Sequence, residues 1–98
     1  MDRDRVLNEL REIVTTAVAG TGAKVYLFGS WARRQERRSS DIDIAIEYNG
    51  PLASSVLSDL RTRVAESNVP YKVDVVDLSS AGEVINDKVR MEGILWIG

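Results

Sequence analysis

Asp41-Ile42-Asp43-Ile44-Ala45-Ile46-Glu47-Tyr48 alternates strictly. An extended chain sends Ile42, Ile44 and Ile46 to one side and Asp41, Asp43, Ala45 and Glu47 to the other. This is a strand with one face on a core, and the rest of the chain is read around it. Upstream, Lys24 to Phe28 reads as a short buried strand stopped by Gly29-Ser30, and downstream Tyr71 to Asp77 reads as a third. Val6, Leu7, Leu10, Ile13, Val14 and Val18 recur at helical spacing, which predicts a helix from Asp4 to about Ala19. Asp2 or Asp4 is its N-cap, and Gly20-Thr21-Gly22 ends it.

Trp31 to about Gln35 is expected to form one or two helical turns, followed by a polar loop through Ser40. Asn49-Gly50-Pro51 breaks the central strand, and Val56, Leu57, Leu60 and Val64 predict a second long helix over Leu52 to Ser67. Ser80 and Glu83 have the spacing of a capping box, which opens a helix to about Glu92. Gly93 stops it, and Ile94 to Ile97 forms a last strand or packs as a tail. Helices around three or four strands make an α/β layer, expected as a single domain over 1–98.

Composition narrows the chemistry. A chain of 98 residues buries roughly 65% of its unfolded surface and can fold without staples. It has no cysteine and no histidine, which removes disulfides, thiolate metal sites, a cysteine nucleophile and the usual general base. Oxygen chemistry from carboxylates and hydroxyls is what is left. The charged start, Asp2-Arg3-Asp4-Arg5, has no apolar signal core, and no apolar run exceeds four residues, so a cytoplasmic protein without membrane contact is expected. A net charge of −2 argues against an extended nucleic-acid surface, although Arg33, Arg34, Arg37 and Arg38 leave a local anion site open.

The candidate site is built from acids. Asp41 and Asp43 share one strand face, where two like charges repel unless cations join them. Hard oxygen ligands so arranged suit Mg²⁺ or Mn²⁺. Asp74 lies inside the apolar run Tyr71-Lys72-Val73-Asp74-Val75-Val76, where an aspartate needs a reason. Three acids on neighbouring strands can hold two metals about 3.5–4 Å apart for in-line phosphoryl displacement. The same alternation is shown by a half-exposed strand with its acids in water, and Lys72 can pair with Asp74, so both readings stay open. Gly29-Ser30, between a strand and a helical turn, offers close backbone approach, free N–H groups and a hydroxyl, a geometry that suits a triphosphate. It is also an ordinary turn signal, and it is not a P-loop, because the glycine-rich run and Gly-Lys-Ser/Thr are missing.

Together these residues resemble a known family. Gly29-Ser30, ten intervening residues and Asp41-Ile42-Asp43 match the signature of the DNA polymerase β-like nucleotidyltransferase superfamily. Gly29-Ser30-Trp31-Ala32-Arg33 with Ser40-Asp41-Ile42-Asp43-Ile44-Ala45 is similar to its minimal nucleotidyltransferase (MNT) family, of the antitoxin type, and Val73 to Leu78 resembles that family's third-carboxylate strand. The resemblance implies a small mixed sheet of three to four strands flanked by helices, the polymerase β-like fold. It departs at Arg34, where the family usually has a permissive glycine.

The roles implied are specific. Asp41, Asp43 and Asp74 are catalytic and hold two Mg²⁺ ions, with Mn²⁺ as an alternative; Gly29, Ser30 and Arg33 bind the nucleotide, ATP or another nucleoside triphosphate. Arg33 brings a planar donor fork to a phosphate or stays solvated, and Arg37 and Arg38 guide an anionic partner or are solvated. Asp77 reads as a strand-end or capping acid, while Trp31, Trp96, Tyr48 and Tyr71 read as packing groups more than base-stacking ones.

The family pairs such chains with a helical HEPN ribonuclease toxin and adenylylates a tyrosine of it. The implied function is therefore AMP transfer to a partner toxin, with a homo-oligomer as another way to complete the open acceptor side. The alternative is a non-catalytic module that neutralises its partner by binding. An aminoglycoside- or tRNA-directed transferase would need an accessory domain.

Overall fold

The computed structural model describes residues 2–48 and 54–98. Its elements are α1 (Arg3–Val18), β1 (Lys24–Phe28), β2 (Ile42–Glu47), α2 (Ser54–Ala65), β3 (Val73–Asp77), α3 (Glu83–Glu92) and β4 (Ile94–Ile97). The strands form one mixed sheet in the order β3-β2-β1-β4, with β1 antiparallel to β2 and β4 and β2 parallel to β3. The turn expected at 49–51 and the first residues of the expected second helix, 52–53, lie outside the described residues.

Alternation becomes layering. Ile42, Ile44 and Ile46 are fully buried and meet Val25 and Leu27 of β1, Val6, Leu10 and Val14 of α1 and Leu60 of α2. Each such aliphatic side chain contributes about 1.5–3 kcal/mol on burial, which makes this face the principal core. The opposite face is lightly covered. Phe28, Ala45, Leu78 and Val89 form a small second cluster beneath α3, which packs chiefly on β1. Ala45 is therefore buried although it points away from the main core. A sheet with two helices on one face and one short helix on the other keeps part of its second face free for chemistry.

Helix α1 begins where expected, with the Asp2 carboxylate accepting from the Asp4 N–H at 3.1 Å. Two expectations are corrected, the capping box and the start of β3, while the span from Trp31 to about Gln35 forms one turn, within the one or two expected: Arg33 N donates to Gly29 O at 3.2 Å, and then Gln35 N reaches Ser30 O at 2.8 Å and Arg34 N reaches Trp31 O at 3.4 Å. This bond pair is a Schellman ending, which needs a left-handed residue, and Arg34 supplies it with φ 57°. The capping box at Ser80 and Glu83 does not form. Ser80 N donates to Asp77 O at 3.1 Å in a turn organised by Asp77, and the α3 N-cap is Gly82, which has no side chain to bond. Strand β3 starts at Val73 and not at the expected Tyr71, whose ring packs against Trp31 in a T-shaped pair with centroids 4.9 Å apart. Among the described residues no helix is long and apolar enough to cross a membrane.

Candidate active site

The acids gather where two parallel strands begin. In the β2–β3 register Asp43 stands directly beside Asp74, one step after Ile42 beside Val73. The pleat sends both carboxylates to the face opposite the main core. Asp41 precedes the first residue of β2 and belongs to the same face, and Ile42 N donates to Lys72 O at 2.9 Å, which ties the two strand starts together. The site lies on an open face rather than in a closed pocket: Asp43 is half-buried, and the Asp74 side chain is 43% exposed.

Electrostatics make this face receptive to cations. The Asp43 carboxyl is raised above its ordinary range, first by burial and next by the charge of Asp74; Asp41 and Glu92 add to the rise and Lys88 opposes it. Carboxylates that repel one another in partial burial fit a divalent ion with oxygen preference, so this donor set suits Mg²⁺ or Mn²⁺. The side chains are not preassembled: among the described residues no three acidic groups stand close enough to hold an ion as they are. Asp74 instead pairs with Lys72 at 3.7 Å. Such an exposed pair contributes at most about 1 kcal/mol, little against a divalent ion's attraction to several carboxylates. The register fixes the backbone positions of these acids, whereas their exposed side chains reorient readily.

The loop after β1 presses on the acids from the other side. Gly29 has φ 76°, and a Cβ built on it would overlap Asp43 Oδ2, so glycine is required twice over. Its N–H is already used, donating to Glu92 Oε1 at 3.1 Å. The Ser30 hydroxyl and the N–H groups of Ser30 and Trp31 bond to no described residue, so these are the donors available to an anion. Arg33 meets both oxygens of Glu92 through Nη1, at 3.0 and 2.9 Å, and its Nε donates to Gln35 at 3.1 Å. Burial pushes the Glu92 carboxyl up, but Arg33, the Gly29 N–H and Lys88 outweigh it and hold it below its ordinary range.

From the α1 side, Arg3 donates to Trp31 O at 2.7 Å, pairs with Glu36 and lies 5.7 Å from the Trp31 ring centroid. Trp31 itself is buried and packs on Tyr71, a structural role. Asp77 receives the Tyr48 hydroxyl at 3.1 Å and the Ser79 N–H at 2.9 Å and closes a turn, away from the acid cluster.

The structure thus brings Asp41, Asp43, Asp74, Gly29 and Ser30 to one end of the sheet and places Arg33 beside them, paired with Glu92. Sequence reading did not single out Glu92, Arg3 or Lys88. Glu92 was visible only as the last residue before the helix-stopping Gly93, and Arg3 only as part of a charged start.

The chain is similar to known proteins over most of its length. The polymerase beta nucleotidyltransferase family matches over residues 9–97. A Shewanella oneidensis protein named protein adenylyltransferase MntA is 38% identical over 73 residues, which is 74% of this chain and 52% of that protein; the chain spans about half the length of this relative. A crystal structure of a toxin–antitoxin with AMP-PNP superposes with a TM-score of 0.69 at 29% identity, over 100% of this chain and 74% of that one. A structure described as tri-AMPylated Shewanella oneidensis HEPN toxin in complex with MNT antitoxin gives a TM-score of 0.70 at 26% identity, over 99% and 73%.

Proposed function

The chain belongs to the polymerase beta nucleotidyltransferase family, and on that premise we propose that it transfers AMP from ATP to a hydroxyl of a HEPN-type toxin, acting as the antitoxin. The observation that carries the reading is the register placing Asp43 beside Asp74, with Gly29 packed on Asp43 at the same sheet end. The acceptor comes from the relatives: one is named a protein adenylyltransferase, and another is described in complex with an AMPylated HEPN toxin. A tyrosine is the acceptor that the family resemblance implies. A cytoplasmic location accords with such a partner.

In this mechanism the Ser30 hydroxyl and the free N–H groups of Ser30 and Trp31 take the terminal phosphates, and Arg33 adds charge beside them. Gly29 lets the backbone come close. Asp41, Asp43 and Asp74 would hold two Mg²⁺ ions, with Mn²⁺ able to serve in the same oxygen set. When bound, the metals supply Lewis acidity to the phosphates and lower the pKa of the acceptor hydroxyl. Asp74 accepts the proton of that hydroxyl at a carboxylate oxygen, since no histidine is available. The acceptor oxygen bonds to the α-phosphorus in line, the bond to the β-phosphate bridging oxygen breaks, and pyrophosphate leaves.

Neutralisation by binding alone is the second reading. Arg34 stands in the glycine place of the motif, a departure that favours this reading, yet Arg34 adopts a left-handed backbone with φ 57°, the region that glycine favours. The experiment is co-expression with a HEPN-type toxin, followed by intact mass of the toxin. AMP addition that disappears together with neutralisation in Asp41→Ala/Asp43→Ala supports transfer. Neutralisation that persists without AMP addition supports binding alone.

A further inference from the structure

Glu92 sits where two constraints meet. Strand β4 pairs with β1 so that Ile94 lies beside Leu27, and this holds the end of α3 close to the loop after β1, where the Gly29 N–H donates to Glu92 Oε1 at 3.1 Å. A single residue, Gly93, separates α3 from β4; its N–H donates to Val89 O at 2.8 Å, and a Cβ there would collide with that same carbonyl. Helix end and strand start are therefore fixed against each other. The Glu92 side chain, 21% exposed, uses both oxygens: Oε1 takes the Gly29 N–H at 3.1 Å and Arg33 Nη1 at 3.0 Å, while Oε2 takes Arg33 Nη1 at 2.9 Å.

What Glu92 leaves free is as informative. Arg33 spends Nη1 on Glu92 and Nε on Gln35, so Nη2 is the guanidinium nitrogen with no partner among the described residues. A fork held along two edges keeps a preset direction and loses little entropy when the remaining edge meets an anion. Because the Gly29 N–H is engaged, the backbone donors offered outward are those of Ser30 and Trp31.

We infer that Glu92 is a positioning residue of the phosphate loop: it clamps the Gly29 amide and the Arg33 guanidinium so that the Ser30 donors and Arg33 Nη2 face an incoming triphosphate. The inference rests on the proposed nucleotidyl-transfer reading. Glu92 touches no reacting atom in it and acts through Gly29 and Arg33.

The test is calorimetric titration of Mg²⁺·ATP into wild type, Glu92→Ala, Glu92→Gln, Arg33→Ala and the Arg33→Ala/Glu92→Ala double variant, with thermal unfolding of each. Losing charge-assisted bonds that orient the loop predicts binding about 10-fold weaker in Glu92→Ala and about 3-fold weaker in Glu92→Gln, which keeps an acceptor for the Gly29 amide. The double variant should bind about as weakly as the weaker single one, because both act through one unit. If Glu92→Ala does not fold, Glu92→Gln decides. Unchanged affinity with only a lowered unfolding temperature would make Glu92 a plain structural group and overturn the inference. Tighter binding would overturn it too, showing a carboxylate that competes with phosphate. If wild type itself binds no triphosphate with metal, the nucleotidyl-transfer reading falls and this inference with it; if wild type binds and the variants match it, only the inference falls.

Discussion

Gly29 and Asp43 are packed against each other across the end of the sheet: a Cβ on Gly29 would overlap Asp43 Oδ2 and lie 3.2 Å from its Cγ. The loop after β1 and the central acid are thus one unit. The backbone turn that exposes the Ser30 donors also sets how closely they approach the carboxylates. A change at Gly29 must move one or the other.

Gly29→Ala is expected to be costly for that reason. The left-handed backbone, φ 76°, penalises any side chain, and steric overlap adds to it, for a loss of about 2–4 kcal/mol in denaturant unfolding. Binding of Mg²⁺·ATP should fall more than about 10-fold, since relief of the overlap displaces Asp43 or the loop. The two effects are read on one sample by urea unfolding and calorimetry.

Arg34→Gly is expected to do the opposite. Arg34 holds the left-handed position of the Schellman turn with φ 57°, a cost of about 1–2 kcal/mol for a residue with a Cβ. Glycine removes that strain and returns about 0.5–1 kcal/mol through its freer unfolded chain, so the strain term wins. A net gain of about 0.5–1 kcal/mol corresponds to a rise of about 2–8 °C in Tm. A fall in Tm would show that the arginine makes stabilising contacts that offset its backbone.

Asp43→Asn is expected to stabilise the metal-free protein while destroying metal-dependent nucleotide binding, the usual trade at a site built from repelling charges. The sign with pH follows from the direction of the shift. The folded carboxyl is raised above its ordinary value of 3.8, so the folded state binds more protons and stability falls as pH rises through the window between the two values. Wild type and variant should therefore diverge as pH rises through that window and keep a constant gap above it. Urea unfolding at several pH values without metal checks this. A gap that closes at neutral pH contradicts it.

Much of this was legible in the sequence, and the exceptions share a cause. The alternation Asp41 to Tyr48 set both faces of β2, because a period of two depends only on the local chain, and Ile42, Ile44 and Ile46 are buried as that pattern requires. That Asp43 and Asp74 lie on neighbouring strands was legible, but their standing side by side depends on β2 and β3 running parallel in this register, which the local pattern does not specify. Glu92 was not legible as part of the site. Its place beside Gly29 comes from β4 pairing with β1, and the two residues that meet there are 63 positions apart in the sequence. The left-handed backbone at Arg34 was not legible, because an arginine gives no local signal for a φ of 57°, although it stands where the family usually has a glycine. The opening of α3 was misread because Asp77 already holds Ser79 and Ser80 in its own turn, leaving no serine free to cap.

The proposed transfer requires these carboxylates and this loop to act together as a metal-dependent triphosphate site. Calorimetric titration of ATP into wild type and Asp43→Ala, each with and without Mg²⁺, tests it most directly. Wild type is expected to bind ATP only when Mg²⁺ is present, and Asp43→Ala to lose this binding. ATP binding of equal strength in all four titrations would contradict it, because the acids would then take no part in holding the nucleotide.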